Sequence, residues 1–162
     1  MREIVTLKYC LDSSFLINGW HKHYRLDVFP SLWRLLEKMI VERQAFFCEE
    51  VLVELEEQDD ALLEWAIQRK GAFRRPNADV IQECKRVMAR FPNLAAKSGS
   101  RNSADPWVIA LAAAEGAAVV TGEAPAPSQR ATKPPKIPDI CDAFGIAWLR
   151  PIDFLASAKI CL

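Results

Sequence analysis

Asp105-Pro106-Trp107-Val108-Ile109-Ala110-Leu111-Ala112-Ala113-Ala114-Glu115-Gly116, followed at once by Ala117-Ala118-Val119-Val120-Thr121, is the stretch on which the fold is decided. It reads as a helix running straight into a buried strand. Asp105 stands at the expected N-cap, Pro106 at the first helical position and Gly116 at the close, a consistent set of start and stop signals. Residues 117–121 do not alternate in polarity and carry β-branched side chains, the pattern of a strand covered on both faces. A helix delivered directly to such a strand is one half of a parallel α/β unit.

The same pattern extends in both directions. Upstream, beyond the polar break at residues 97–103, helical periodicity is expected over Ala78 to Arg90, Ala61 to Arg69 and Glu49 to Gln58, the last with Val51, Leu52 and Leu55 as its apolar stripe. Gln44 to Cys48 reads as a short strand. Leu32, Trp33, Leu35, Leu36, Met39 and Ile40 repeat at helical spacing behind Pro30-Ser31. The first strand, about Leu7 to Leu11, stops at Asp12-Ser13-Ser14, and a helix follows from about Phe15. Downstream, Gly122 to Asp139 is rich in Pro, Ala and Ser and reads as a long loop. A short helix (Ile140 to Phe144), a strand (Ile146 to Leu149) and a closing helix (Ile152 to Ala158) complete the chain. Short apolar strands alternating with helices define an α/β domain with a mainly parallel central sheet. No repeat or boundary divides it, so residues 1–162 are expected to form one domain.

Composition bounds the function. The 162 residues are 51% apolar and 26% charged, which excludes a disordered tail, a collagen-like repeat and a disulfide-stapled miniprotein. Twenty-one basic residues balance 21 acidic ones, so nucleic acid can be held only through a local patch. The five cysteines are odd in number and form no CxxC pair, and the two histidines are His21 and His23, a poor basis for a zinc site. Cys10, Cys48 and Cys141 read as small hydrophobes. With no signal-peptide run and no 18-residue apolar run, a reducing, cytoplasmic setting and no membrane contact are expected.

In open α/β sheets ligands bind beyond the carboxyl ends of the strands. Asp12 ends the first strand, Glu123 follows the 117–121 strand, and Asp105 begins the helix before it. Glu54 lies at the edge of the apolar stripe of its helix. Four carboxylates gathered at one sheet end repel each other and resist burial. A hard divalent cation relieves both problems, and Mg²⁺ suits carboxylate and water ligands. Each acid also has a structural explanation: Asp105 as a helix cap, Glu54 as part of the acidic run with Glu49, Glu50, Glu56, Glu57, Asp59 and Asp60. Ser13 and Ser14 would serve equally as substrate contacts or as caps. No phosphate-cradling glycine loop and no nucleophilic triad competes.

These segments, in order, resemble a PIN domain, the nuclease fold of VapC-type toxins. The resemblance lies in Tyr9-Cys10-Leu11-Asp12-Ser13-Ser14, Val51-Leu52-Val53-Glu54-Leu55, Ser103-Ala104-Asp105-Pro106-Trp107-Val108-Ile109-Ala110 and Val119-Val120-Thr121-Gly122-Glu123. Lys136-Ile137-Pro138-Asp139-Ile140-Cys141, Gly145-Ile146 and Pro151-Ile152-Asp153-Phe154-Leu155 resemble a PIN-like branch of uncharacterised bacterial proteins. The resemblance implies a three-layer α/β/α sandwich and a Mg²⁺ or Mn²⁺ pocket formed by Asp12, Glu54 and Asp105. Glu123 stands at the position of the family's fourth catalytic and metal-binding acid, more often Asp, and would bind a second ion or orient the attacking water. It further implies hydrolysis of RNA phosphodiester bonds, a homodimer, and a cognate antitoxin as partner.

An RNA substrate needs positive charge beside the acids. Arg130, Lys133 and Lys136 in the long loop are expected to supply it, with Ser13 and Thr121 as further substrate contacts. Lys97 and Arg101, and the cluster Arg69, Lys70, Arg74 and Arg75, would extend a basic rim. Trp107 and Trp148 read as core, and the amphipathic stretches 31–43 and 61–69 serve either a dimer face or the core. A different class of function, a PIN-like module that binds RNA or protein without cutting, is the alternative. A haloacid-type phosphatase is disfavoured because Asp12 is followed by Ser13-Ser14 rather than completing DxD.

Overall fold

The computed structural model describes residues 7–58, 60–94, 104–126 and 135–159. The first strand, β1 (Tyr9–Leu11), is buried at every position, as is β2 (Ala45–Cys48). With β3 (Phe73–Arg74), β4 (Ala118–Val120) and β5 (Trp148–Leu149) they form a five-stranded sheet in the order β3-β2-β1-β4-β5. Every pairing is parallel. Tyr9 lies opposite both Ala45 and Ala118, and Leu11 opposite Val120. An edgeless position at the centre explains why β1 has no polar face.

Eight α-helices connect and cover these strands among the described residues: α1 (Ser13–Asn18), α2 (Pro30–Val41), α3 (Glu49–Glu56), α4 (Ala61–Ile67), α5 (Ala78–Arg90), α6 (Asp105–Glu115), α7 (Ile137–Phe144) and α8 (Pro151–Ser157). The chain proceeds outward from β1 to β3 on one side and from β4 to β5 on the other. Right-handed crossovers therefore put α1–α4 on one face and α5–α7 on the other. This is the three-layer α/β/α sandwich of the PIN-like expectation. The order reverses between β1 and β4, and the carboxyl ends at that reversal are where a doubly wound sheet leaves a crevice.

The core is continuous. Residues 108–112 of α6 are all buried, and α6 packs across β1, β2 and β4 with α5 behind it. Helices α2 and α4 direct Trp33 and Trp65 inward, where their rings meet edge-on at 5.3 Å, with Trp20 at 5.0 Å from Trp33. The apolar faces of 31–43 and 61–69 thus serve the interior. Phe154 of α8 packs edge-on against Tyr9 at 4.9 Å and Phe15 at 5.5 Å, closing the molecule over β1. The four described cysteines are buried and free. No helix is long and apolar enough to cross a membrane among the described residues.

Several expectations shift. The cap of α6 is Ala104 rather than Asp105, because Asp105 is the first helical residue and its side chain is turned into the interior. Helix α7 begins at Ile137 rather than Ile140, since the Glu123 carboxylate accepts from the Ile137 N–H at 2.8 Å and starts the helix early. Strand β3 is not legible in the sequence: it is two residues long, held by Phe73 stacked on Phe47 at 4.8 Å. The helix at 13–18 passes into a π-helical turn, Gly19–His23, which carries both histidines.

Candidate functional site

Asp12 follows β1 directly, so the strand ladder carries it into the β1/β4 crevice: its N–H donates to Val120 O at 2.9 Å. Burial of a carboxylate demands partners, and the local sequence provides them. Oδ1 accepts from the Ser13 N–H at 2.8 Å, which also caps α1. Oδ2 accepts from the Ser14 hydroxyl at 2.8 Å and from the Thr121 hydroxyl at 3.1 Å. Those hydroxyls in turn accept the N–H groups of Gly122 and Glu123, tying the end of β4 to the end of β1.

Among the described residues of its acidic run Glu54 is the one that is buried, because its place on α3 shares the inward face with Val51 and Leu55. Its Oε1 accepts from the Ala104 N–H at 3.2 Å, the residue just before α6. Burial pushes the Glu54 carboxyl up to about 7, against the Ser13 hydroxyl and the Ala104 N–H, with the charges of Asp12 and Glu57 adding to the rise. Burial likewise raises Asp12, opposed by the Ser14 hydrogen bond and reinforced by the charge of Glu123. Asp105 is buried at the start of α6.

Asp12, Glu54, Asp105 and Glu123 all line one cavity of about 190 Å³. Glu57, Gln58 and Asn18 line it too; sequence reasoning passed over them, Glu57 because a dense acidic run reads as solvated surface. Glu123 is divided between the cavity and α7: Oε2 binds the Ile137 N–H, and Oε1 lies 3.8 Å from Lys136 Nζ. The acid donors are all oxygen, and burial raises the proton affinities of Asp12 and Glu54 with no cation among the described cavity-lining residues. That chemistry fits a hard divalent ion. The carboxylates stand apart, however, and no three His, Cys, Asp or Glu side chains form a ready metal cage among the described residues.

Three described arginines of the expected basic rim are engaged away from the cavity. Arg74 lies over the Phe46 ring at 3.9 Å and pairs with Glu115 at 3.3 Å. Glu115 ends α6 and also meets Lys8 just before β1, so Arg74 serves the opposite end of the sheet. Arg69 pairs with Glu37 and covers the Trp65 ring at 4.4 Å. Arg75 pairs with Glu49 at 3.2 Å. Lys136 is beside Glu123, whereas Arg130, Lys133, Lys97 and Arg101 lie outside the described residues. Ser13 and Thr121 face Asp12, the Thr121 hydroxyl also accepts the Glu123 N–H, and the Ser13 hydroxyl also acts on Glu54. Trp148 is half-buried and donates to Asp142 at 2.9 Å.

Fold and site together define an α/β domain with a carboxylate-lined cavity at the switch point of a parallel sheet. Residues 9–162 match the model of a family described as "Domain of unknown function (DUF4411)", and the chain belongs to that family. No curated protein matches it. Among solved structures it is similar to the crystal structure of VapBC2 from Rickettsia felis bound to a DNA fragment from their promoter. That similarity has a TM-score of 0.49 at 14% identity and covers 89% of this chain and 98% of that chain.

Proposed function

We propose that this protein is a PIN-type, metal-dependent endoribonuclease acting in the cytoplasm as the toxin of a toxin–antitoxin pair. The observation that carries the reading is the single cavity lined by Asp12, Glu54, Asp105 and Glu123, four acids from distant parts of the chain. A cavity that only bound RNA would gain nothing from collected negative charge, which disfavours the non-cleaving alternative. Asp12, Glu54 and Asp105 would hold Mg²⁺ or Mn²⁺. When bound, the ion would lower the pKa of water and offset charge on the phosphate.

The chain's own groups prepare that chemistry. Ser14 and Thr121 fix the rotation of the Asp12 carboxylate. Glu54, its Oε1 held by the Ala104 N–H, would give its carboxylate to the ion in the deprotonated form. Glu123, anchored on the Ile137 N–H, keeps the chain after β4 against the cavity. Ser13, Thr121, Arg130, Lys133 and Lys136 are the proposed substrate contacts, and a homodimer blocked by a cognate antitoxin is the proposed assembly.

The test is cleavage of a mixed RNA pool by the purified chain in EDTA, Mg²⁺ or Mn²⁺, beside Asp12→Asn. Cutting that requires the ion and falls at least about 100-fold in Asp12→Asn, with unchanged circular dichroism, is the expected result. Cutting by Asp12→Asn at the wild-type rate would overturn it.

A further inference from the structure

A second cleft opens beside the carboxylate cavity and shares Ser14, Asn18 and Glu123 with it. Its volume is about 510 Å³, inside the range of roughly 300–1,000 Å³ typical of small-molecule sites. The two spaces differ in chemistry. Where the first is acidic, the second is walled by Phe15, Tyr24, Pro125, Pro151 and Ile152.

One wall has unusual backbone. Helix α1 widens into the π-helical turn Gly19–His23, and both end residues of that turn line the cleft. Such turns are rare and are found disproportionately at functional sites. Tyr24 follows immediately and is held firmly: its N–H donates to Gly19 O at 2.8 Å, and its carbonyl accepts from Trp33 Nε1 at 2.6 Å. Its ring stands edge-on to Phe29 at 6.2 Å. Tyr24, with its backbone held on both sides, therefore places an aromatic ring on the wall of the cleft.

Charge gives the cleft a direction. Arg150 is the one Arg or Lys among the described residues lining either space. Its Nε donates to Asp153 Oδ2 at 2.7 Å, which orients the guanidinium. Neither Nη group has a protein partner among the described residues.

We propose that this cleft takes the unpaired base and sugar of the nucleotide adjoining the scissile phosphate of a single-stranded RNA, with Arg150 on the next phosphate; this rests on the ribonuclease reading above. Neighbouring nucleotides are covalently joined, so a strand that presents a phosphate to the carboxylates lays its next nucleotide in an adjacent depression. The apolar cleft shares a wall with the cavity and offers an aromatic face. An unpaired base has a free π-face for Tyr24, whereas a paired base in a duplex is already stacked and cannot enter. Arg150 supplies the cation that the acid-lined cavity lacks.

The test is fluorescence anisotropy of a 5′-fluorescein-labelled RNA hexamer with the full chain in EDTA, so that no strand is cut. The variants are Arg150→Gln and Ile152→Glu in the cleft and Lys8→Gln at the opposite end of the sheet. Arg150 and Ile152 are exposed, so their replacement leaves the core intact. Each cleft variant should raise Kd by about fivefold or more, and Arg150→Gln should flatten the salt dependence by about 0.7 in log–log slope. Lys8→Gln should bind like wild type, and a duplex of the same sequence should bind at least about tenfold more weakly. Wild-type affinity in both cleft variants, equal weakening by Lys8→Gln, equal duplex binding, or no hexamer binding at all would each overturn the proposal. Cutting of the hexamer in Mn²⁺ separates the two readings. Metal-dependent cutting with cleft-independent affinity removes the cleft and keeps the ribonuclease. Cleft-dependent affinity with no cutting keeps a single-strand site and removes its catalytic neighbour.

Discussion

Asp12 shows how a buried carboxylate is kept ionisable by its neighbours. Two hydroxyls, Ser14 and Thr121, converge on Oδ2, and each also accepts a backbone N–H from the chain leaving β4. Removing one leaves Oδ2 partly satisfied; removing both strips it of both hydroxyl hydrogen bonds. Ser14→Ala and Thr121→Val should each cost about 1 kcal/mol, and the double variant more than their sum, because they share one acceptor. Urea denaturation at pH 7 measures all three. A double variant as stable as wild type would mean that water replaces the hydroxyls without loss.

At the scale of elements, α6 and β4 are joined by Gly116 and Ala117, the first of them in the left-handed region. Gly116 has φ of 63° and its N–H closes the helix on Ala112 and Ala113. A Cβ there would meet nothing within 4 Å, so the cost of a side chain is purely conformational. Gly116→Ala should lose about 1–2 kcal/mol. Gly71, in the short turn before β3, also has open space around a Cβ but no positive φ. Gly71→Ala should therefore be neutral or slightly stabilising. Thermal unfolding of the pair checks this, and equal losses at both positions would contradict the conformational account.

At the scale of the whole molecule, the collected acids couple stability to pH. The Glu54 carboxyl, ordinarily at 4.5, is raised to about 7 in the folded chain, so folding favours its protonated form. That contribution is complete below about pH 4.5 and is lost as pH rises through about 7, by no more than about 3 kcal/mol. Asp12 acts in the same direction. Glu54→Gln should therefore gain stability relative to wild type between pH 5 and pH 8. On the ribonuclease reading, Mn²⁺ should stabilise wild type increasingly over that window, because carboxylates bind the ion deprotonated. Melting temperatures across this range with EDTA or Mn²⁺ measure both effects. A wild-type minus Glu54→Gln difference independent of pH would remove the buried-acid account.

Local physics made much of this legible in advance. The helices at 78–90 and 105–115 stand where periodicity, and for the second Pro106 and Gly116, put them, since those signals act within a few residues. The parallel sheet follows from apolar strands without alternation, and Asp12 is conspicuous because it ends one of them. Glu54 is harder to separate from its acidic neighbours, and only its position on the inward face of α3 does so. Other features had no local signal. Strand β3 depends on Phe47, the early start of α7 on the Glu123 carboxylate, and the placement of Arg74 on Glu115 across the sheet. The sequence by itself determined the α/β class, the order of the elements and which acids end or begin them, because these depend on near neighbours. Only the tertiary structure decided that Asp12, Glu54, Asp105 and Glu123 line one cavity, and which cations are engaged elsewhere, because both depend on contacts between residues far apart in the chain.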